Sequence, residues 1–234
     1  MTRQLTLTFE TPRRLGLAEF AVGEANRAAV EAIGRWPNWP SPVMLLVGEA
    51  ASGKSHLAAI LAAASAAPIF TADTADWHAL AAEHAGETVI VEDLDGGIDE
   101  AGLFHLINAV TAGGGRLMLT SRTPPAEWRL NLPDLASRLR AATPVMIGAP
   151  DDRLMEQLLG KLFVDRQTTV DPQVIRFIAQ RIERTFAAAG DAVERLDRAA
   201  LARKAAITKP FAAEVLFDGA AEEPLLPGFE PPEE

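Results

Sequence analysis

Apolar residues fall into two rhythms along the chain. Residues 43–47, 68–71, 88–92, 116–121 and 144–147 are short apolar or β-branched runs, and such runs predict strands buried on both faces. Between them, residues 24–35, 54–66, 74–84, 99–112 and 133–140 carry helical patterns, with apolar positions that recur at helical spacing. Strands of this kind alternating with helices predict an α/β domain: a five-stranded parallel sheet covered on each side. The rhythm changes after Gly148-Ala149-Pro150. The strand signal stops there, and a small all-helical domain is expected. Asp151 caps a helix to about residue 164, Asp171 caps one with Pro172 at its first position, and a third spans about 191–207. Leu196, Ala199, Ala200 and Arg203 give that third helix a narrow stripe at i, i+3, i+4 and i+7.

Both ends differ from this pattern. Gln4-Leu5-Thr6-Leu7-Thr8-Phe9 alternates polar and apolar residues. Two readings stand: an exposed edge strand, or an extended peptide whose Leu and Phe anchors dock into an apolar groove. Residues 218–234 are rich in Pro, Gly and Glu and are expected to form a mobile acidic tail. The expected division is therefore 1–12, 13–149, 150–217 and 218–234.

Composition narrows the chemistry. The 234 residues, 48% hydrophobic and 23% charged, are those of a globular protein. No apolar run reaches the roughly 18 residues a spanning helix needs, and the first residues lack a secretion signal. A cytoplasmic address without membrane contact is expected. Cysteine is absent, which excludes disulfides, thiolate metal sites and cysteine nucleophiles. His56, His78, His84 and His105 lack metalloprotease spacing. Net charge is 22 − 32 = −10, and an acidic chain repels nucleic acid. Autonomous, sequence-specific DNA binding is disfavoured.

One motif is explicit. Gly48-Glu49-Ala50-Ala51-Ser52-Gly53-Lys54-Ser55 matches GxxxxGK[ST] between a predicted strand and a predicted helix. In such a loop the glycines permit the turn, backbone N–H groups and the helix N-terminus face phosphate, and the lysine adds charge. The Ser55 hydroxyl can reach Mg²⁺. A carboxylate at the end of another buried strand completes a metal shell, and Glu92-Asp93 offers two. Side chains alternate along a regular strand, so only one of them faces the metal if the strand continues; the other is a base or a solvated residue. Thr120-Ser121 ends the next strand, where a polar group orients water or caps a turn. Arg138 and Arg140 close a short helix and serve as surface charges or as a finger for a neighbour's γ-phosphate.

Together these residues resemble the AAA+ module of the DnaA family, and more closely its shortened Hda branch, over about residues 4–216. Phe20-Ala21-Val22-Gly23-Glu24-Ala25-Asn26-Arg27 is similar to the segment that flanks adenine, implying roles for Val22, Gly23 and Asn26. The P-loop continues into the family's His56-Leu57. It implies contacts from Gly48, Ala51, Ser52, Gly53, Lys54, Ser55 and His56 to ADP or ATP with Mg²⁺. Glu92-Asp93 lies at the Walker B position and Thr120-Ser121 at sensor 1. Pro133-Asp134-Leu135-Ala136-Ser137-Arg138-Leu139 is similar to the arginine-finger box. Gln4, Leu5, Leu7 and Phe9 resemble a motif for the DNA polymerase III sliding clamp.

The resemblance implies a negative regulator of replication initiation. It would bind an adenine nucleotide and the clamp, and stimulate ATP hydrolysis on DnaA through Arg138 in trans; homo-oligomerisation is an added possibility. The competing reading is an autonomous P-loop ATPase or a loader acting on another replication protein. Two residues depart from the family. Glu92 replaces the first Walker B aspartate, which makes Asp93 the implied metal ligand beside Ser55. Ala187 falls where the sensor 2 arginine belongs, with Arg184 about a turn upstream, implying weak hydrolysis by the chain itself.

Overall fold

The computed structural model describes residues 20–218 except residue 97. The segment with Gln4, Leu5, Leu7 and Phe9 lies outside the described residues, as does the tail beyond Asp218. Five parallel strands form one sheet in the order β2-β3-β4-β1-β5: β1 Val43–Val47, β2 Ile69–Thr71, β3 Thr88–Glu92, β4 Arg116–Ser121 and β5 Thr143–Met146. Helices α1 Arg27–Gly34, α2 Lys54–Ser65, α3 Trp77–Glu83, α4 Glu100–Ala112 and α5 Pro133–Ala141 make the connections. The expected parallel α/β architecture is what the chain adopts.

Alternation along the strands explains their continuous apolar character. Val43, Leu45, Val47, Val89, Val91, Leu117 and Leu119 point to one face, against Trp77, Leu80, Leu103, Leu106, Leu135 and Leu139 of α3, α4 and α5. Met44, Leu46, Ile90 and Met118 point to the other, against Ala29 and Ile33 of α1 and Leu57, Ala58 and Leu61 of α2. Both faces are dry. Backbone pairing pins β1 between β4 and β5, with Val47 opposite Ser121 and Met146, so the P-loop leaves the sheet from an interior strand.

The remaining helices are α6 Asp152–Asp165, α7 Pro172–Ala179, α8 Phe186–Arg203 and α9 Lys209–Ala213, closed by one π-helical turn at Glu214–Asp218. Asp151 and Asp171 cap α6 and α7 as expected, accepting from Leu154 N at 2.7 Å and Gln173 N at 2.7 Å. The third helix starts and stops earlier than the expected 191–207. Thr185 accepts from Ala188 N at 3.1 Å, which opens α8 at Phe186, and Lys204 ends it in a left-handed conformation. Its buried stripe is accordingly Phe186, Ala189, Ala192, Val193 and Leu196. Two other starts also shift. Asp76 caps α3, and α1 begins at Arg27, because the Asn26 side chain is bound to the turn before it.

Phe163, Met155, Leu159, Ile178, Val193 and Leu196 give these helices a core of their own. Leu154 and Phe186 instead join the core beneath the sheet, and so fasten the helical layer beside α1 and β5. Phe163 is fully buried, and Phe163→Ala should cost about 3–5 kcal/mol in urea unfolding. Amides of α6 to α8 should lose hydrogen-exchange protection first, while those of β1 and β4 keep theirs.

Candidate functional site

Residues 48–55 run from the end of β1 into α2. Gly48 has no room for a side chain, since an added Cβ would lie 2.8 Å from Ser52 Oγ and 2.9 Å from Ile147 Cβ. Gly53 turns into the helix at φ +94, a conformation costly for other residues, and its added Cβ would meet the Phe20 ring at 2.9 Å. Phe20 also meets the His56 ring edge to face at 5.2 Å. Ala51 adopts a positive φ of 60 within the loop. The Lys54 ammonium is folded into the turn it follows, donating to Gly48 O at 2.7 Å and Glu49 O at 2.8 Å. Burial lowers its pKa, although Asp93, Asp95 and Glu92 all pull it upward.

The carboxylates gather across from this lysine. Glu92 is buried at the last position of β3. It follows Ile90, whose side chain joins the α2 face, by two residues. Burial raises its pKa, the Ser55 hydroxyl lowers it by hydrogen bonding, and Asp93 raises it again. Its Oε1 is buried without a hydrogen-bond partner. Strand alternation does not carry on to Asp93. That residue takes φ 59, and its N–H donates to Thr120 Oγ1 at 3.0 Å, so the chain turns at this point. Both carboxylates act electrostatically on Lys54. The oxygen set fits Mg²⁺, a hard cation that prefers oxygen ligands. Ser55, Glu92 and Asp93 are the side chains that would hold it, and the orphaned Glu92 oxygen is a lone pair left for a cation or its water.

Ser121 is buried at the end of β4 and its hydroxyl is engaged locally. It donates to Asp95 Oδ1 at 3.0 Å and to Thr123 O at 2.5 Å, and accepts from Thr123 N at 3.1 Å. Asp95 was not singled out by the sequence reading. It lies in the turn Leu94–Gly96 after β3 and gathers the N–H groups of Arg122 and Thr123.

Val22, Gly23 and Asn26 form a turn between the P-loop and α6. Asn26 Oδ1 accepts from Gly23 N at 2.9 Å and its Nδ2 donates to Ala21 O at 2.8 Å, so this amide shapes the turn. An added Cβ at Gly23 would press on Leu154 at 3.0 Å, and Val22 is exposed. Arg184, exposed, pairs with Asp152 at 2.8 Å, and Ala187 lies in the first turn of α8. Arg138 and Arg140 are exposed in the last turn of α5, while Leu135 and Leu139 are buried beneath them. Among the described residues, neither arginine makes a hydrogen bond or an ion pair.

A family model for the lid domain of Hda matches residues 153–216. The fold is similar to domain III of DnaA from Thermotoga maritima, with a TM-score of 0.75 at 15% identity, over 87% of this chain and 96% of that one. Residues 153–216 thus match the Hda lid domain, and the chain has the fold of DnaA domain III. AMPPCP-bound DnaA from Aquifex aeolicus is also similar, with a TM-score of 0.61 at 17% identity, over 77% of this chain and 64% of that one. The RuvB Holliday junction branch migration motor of Thermotoga maritima shares the fold, with a TM-score of 0.61 at 16% identity, over 82% of this chain and 66% of that one. Among the described residues, no helix is long and apolar enough to cross a membrane.

The buried Glu92 charge makes a test of this geometry. A carboxyl whose folded pKa lies above its unfolded one holds its proton longer in the folded state, so its contribution weakens as pH rises through that folded pKa. In nucleotide-free protein treated with chelator, Glu92→Gln should therefore melt above wild type at neutral pH. The gap should narrow as pH falls; thermal melts from pH 7 down to 5 measure it.

Proposed function

We propose that this chain is a negative regulator of replication initiation that binds an adenine nucleotide and the polymerase III sliding clamp in the cytoplasm, and presents Arg138 to ATP held by DnaA. The observation that carries this reading is Arg138 itself. Its box is anchored by buried Leu135 and Leu139, and the guanidinium is exposed without a partner among the described residues. The Hda lid match on 153–216 supports the choice of partner. Gln4, Leu5, Leu7 and Phe9 are the proposed clamp anchors.

In this chain's own site, Lys54, Ser55 and the α2 N-terminus would hold phosphates, with Ser55, Glu92 and Asp93 toward Mg²⁺. A bound nucleotide supplies the anion that the buried ammonium lacks. Val22 and Gly23 offer an apolar wall for the base, and Asn26 keeps that wall in place through its bonds to Gly23 and Ala21. Toward DnaA the chemistry differs. A guanidinium placed on the γ-phosphate oxygens neutralises charge that develops as the phosphoryl group leaves, and an arginine supplied in trans contributes about 10³- to 10⁵-fold.

A second reading, an autonomous P-loop ATPase or loader, draws on Glu92 and Asp93 both standing near Lys54. Single-turnover hydrolysis with and without DnaA-ATP and DNA-loaded clamp separates the two. Arg138→Ala should lower the stimulated rate on DnaA by about 10³-fold or more, with Arg140→Ala close to wild type; an undiminished rate in Arg138→Ala rejects the finger. Lys54→Ala removes a charged donor worth roughly 1.5–3 kcal/mol. Calorimetry should then find ADP and ATP affinity reduced about tenfold or more.

A further inference from the structure

The helix that carries Arg138 starts without a cap of its own. Leu132 occupies its N-cap and has no side-chain acceptor, and Pro133 follows at the first position. The N–H groups at this entry are bound from elsewhere in the fold. Glu100, in the first turn of α4, accepts from Leu132 N at 2.6 Å and from Asn131 N at 2.9 Å on each carboxylate oxygen. Asn131 Nδ2 adds a fourth bond at 3.1 Å. These backbone bonds hold the Glu100 carboxyl below its ordinary range. Asp95 fastens the other end of the same loop through Ser121, Arg122 and Thr123. Residues 121–132 are thus pinned at both ends by carboxylates from the stretch that leaves β3 at Asp93.

We propose that Glu100 is a positioning residue for Arg138. By capping α5 from α4, it sets where the nine-residue helix begins and so where its last turn presents the guanidinium. The proposal rests on the reading of Arg138 as a finger acting in trans. Leu135 and Leu139 are buried and keep α5 on the core without Glu100, so loss of the cap loosens the helix entry and leaves the fold. A finger works only in a narrow geometry, and a misplacement near 1 Å costs on the order of 10²-fold. The effect belongs in the maximal stimulated rate and not in the affinity for DnaA.

The test titrates DnaA-ATP with clamp-loaded wild type, Glu100→Ala, Glu100→Gln and Arg138→Ala under single-turnover conditions. Amide exchange is followed at Asn131, Leu132 and the β4 residues Leu117 to Leu119. Glu100→Ala should speed exchange at Asn131 and Leu132 about tenfold or more, and lower the maximal rate about tenfold or more. Half-saturation and β4 protection should stay unchanged. Glu100→Gln retains one acceptor oxygen and should fall between. Unchanged exchange in Glu100→Ala overturns the cap. Faster exchange with a wild-type maximal rate, or an effect confined to half-saturation, overturns the positioning role. If Arg138→Ala stimulates as well as wild type, the finger reading fails and this role with it. A silent Glu100→Ala beside an inactive Arg138→Ala rejects Glu100 alone.

Discussion

A parallel sheet covered on both faces has no room for charge except at the ends of its strands. Every strand position of β1 is buried, as are Val89 to Glu92 of β3 and Leu117 to Ser121 of β4. Each unit of burial along these strands favours folding only while the side chains stay apolar. Polar chemistry is therefore pressed to the carboxyl edge, where ligands of open α/β sheets also bind. Lys54, Glu92, Asp93, Asp95 and Ser121 all lie there. The interior position of β1, paired to β4, then puts the P-loop beside β4 and one strand further from the carboxylates that follow β3.

The same edge is a mechanical junction. Asp93 turns out of β3 and gives its N–H to Thr120 of β4. Asp95 then binds the turn after β4, and Glu100 binds the entry to α5. Within eight residues the chain links the end of β3 to the loop and helix that carry Arg138. Charged hydrogen bonds to backbone N–H groups are stronger than neutral ones, and here they span a loop with little core of its own. Trp128 helps by donating its indole N–H to Thr123 O at 3.1 Å. Position is thereby transmitted largely through bonds to the loop's backbone, with Ser121, Trp128 and Asn131 adding side-chain bonds.

The sheet was legible because apolar runs buried on both faces leave no ambiguity of period, and the P-loop because its spacing is tied to a strand and a helix. Legibility fell wherever a local device overrode the pattern. Thr185 opens α8 before its apolar stripe is evident, and Thr208 with Pro210 starts α9, whose five residues are too few to carry a period. The alternation rule at Glu92-Asp93 assumed a regular strand, and a single positive φ at Asp93 removed that assumption. Asp95 and Glu100 make their bonds 26 to 32 residues away. Nothing in local spacing marks such a carboxylate, because its partners are backbone N–H groups that every residue type supplies. Asn26 was read as an adenine contact through family resemblance, and its observed bonds hold the turn.

The balance of charges and burial at Lys54 sets it apart from the exposed Arg138. Three carboxylates favour the charged ammonium and Arg122 opposes it, yet desolvation is the largest effect and the pKa falls. Water is thus partly excluded from the ammonium, and fixed charges act more strongly on one another than at the surface. A phosphate anion would relieve the lysine but press against Glu92, whose pKa is already raised by burial; a divalent cation between them resolves both. Beyond these groups the site has no arginine at Ala187, and Arg184 is paired with Asp152. Arg138, by contrast, is solvent-facing and unpaired among the described residues. Lys54 is thus a desolvated charge held among carboxylates, whereas Arg138 is a solvated one, and the ammonium and the guanidinium stand in opposite electrostatic settings.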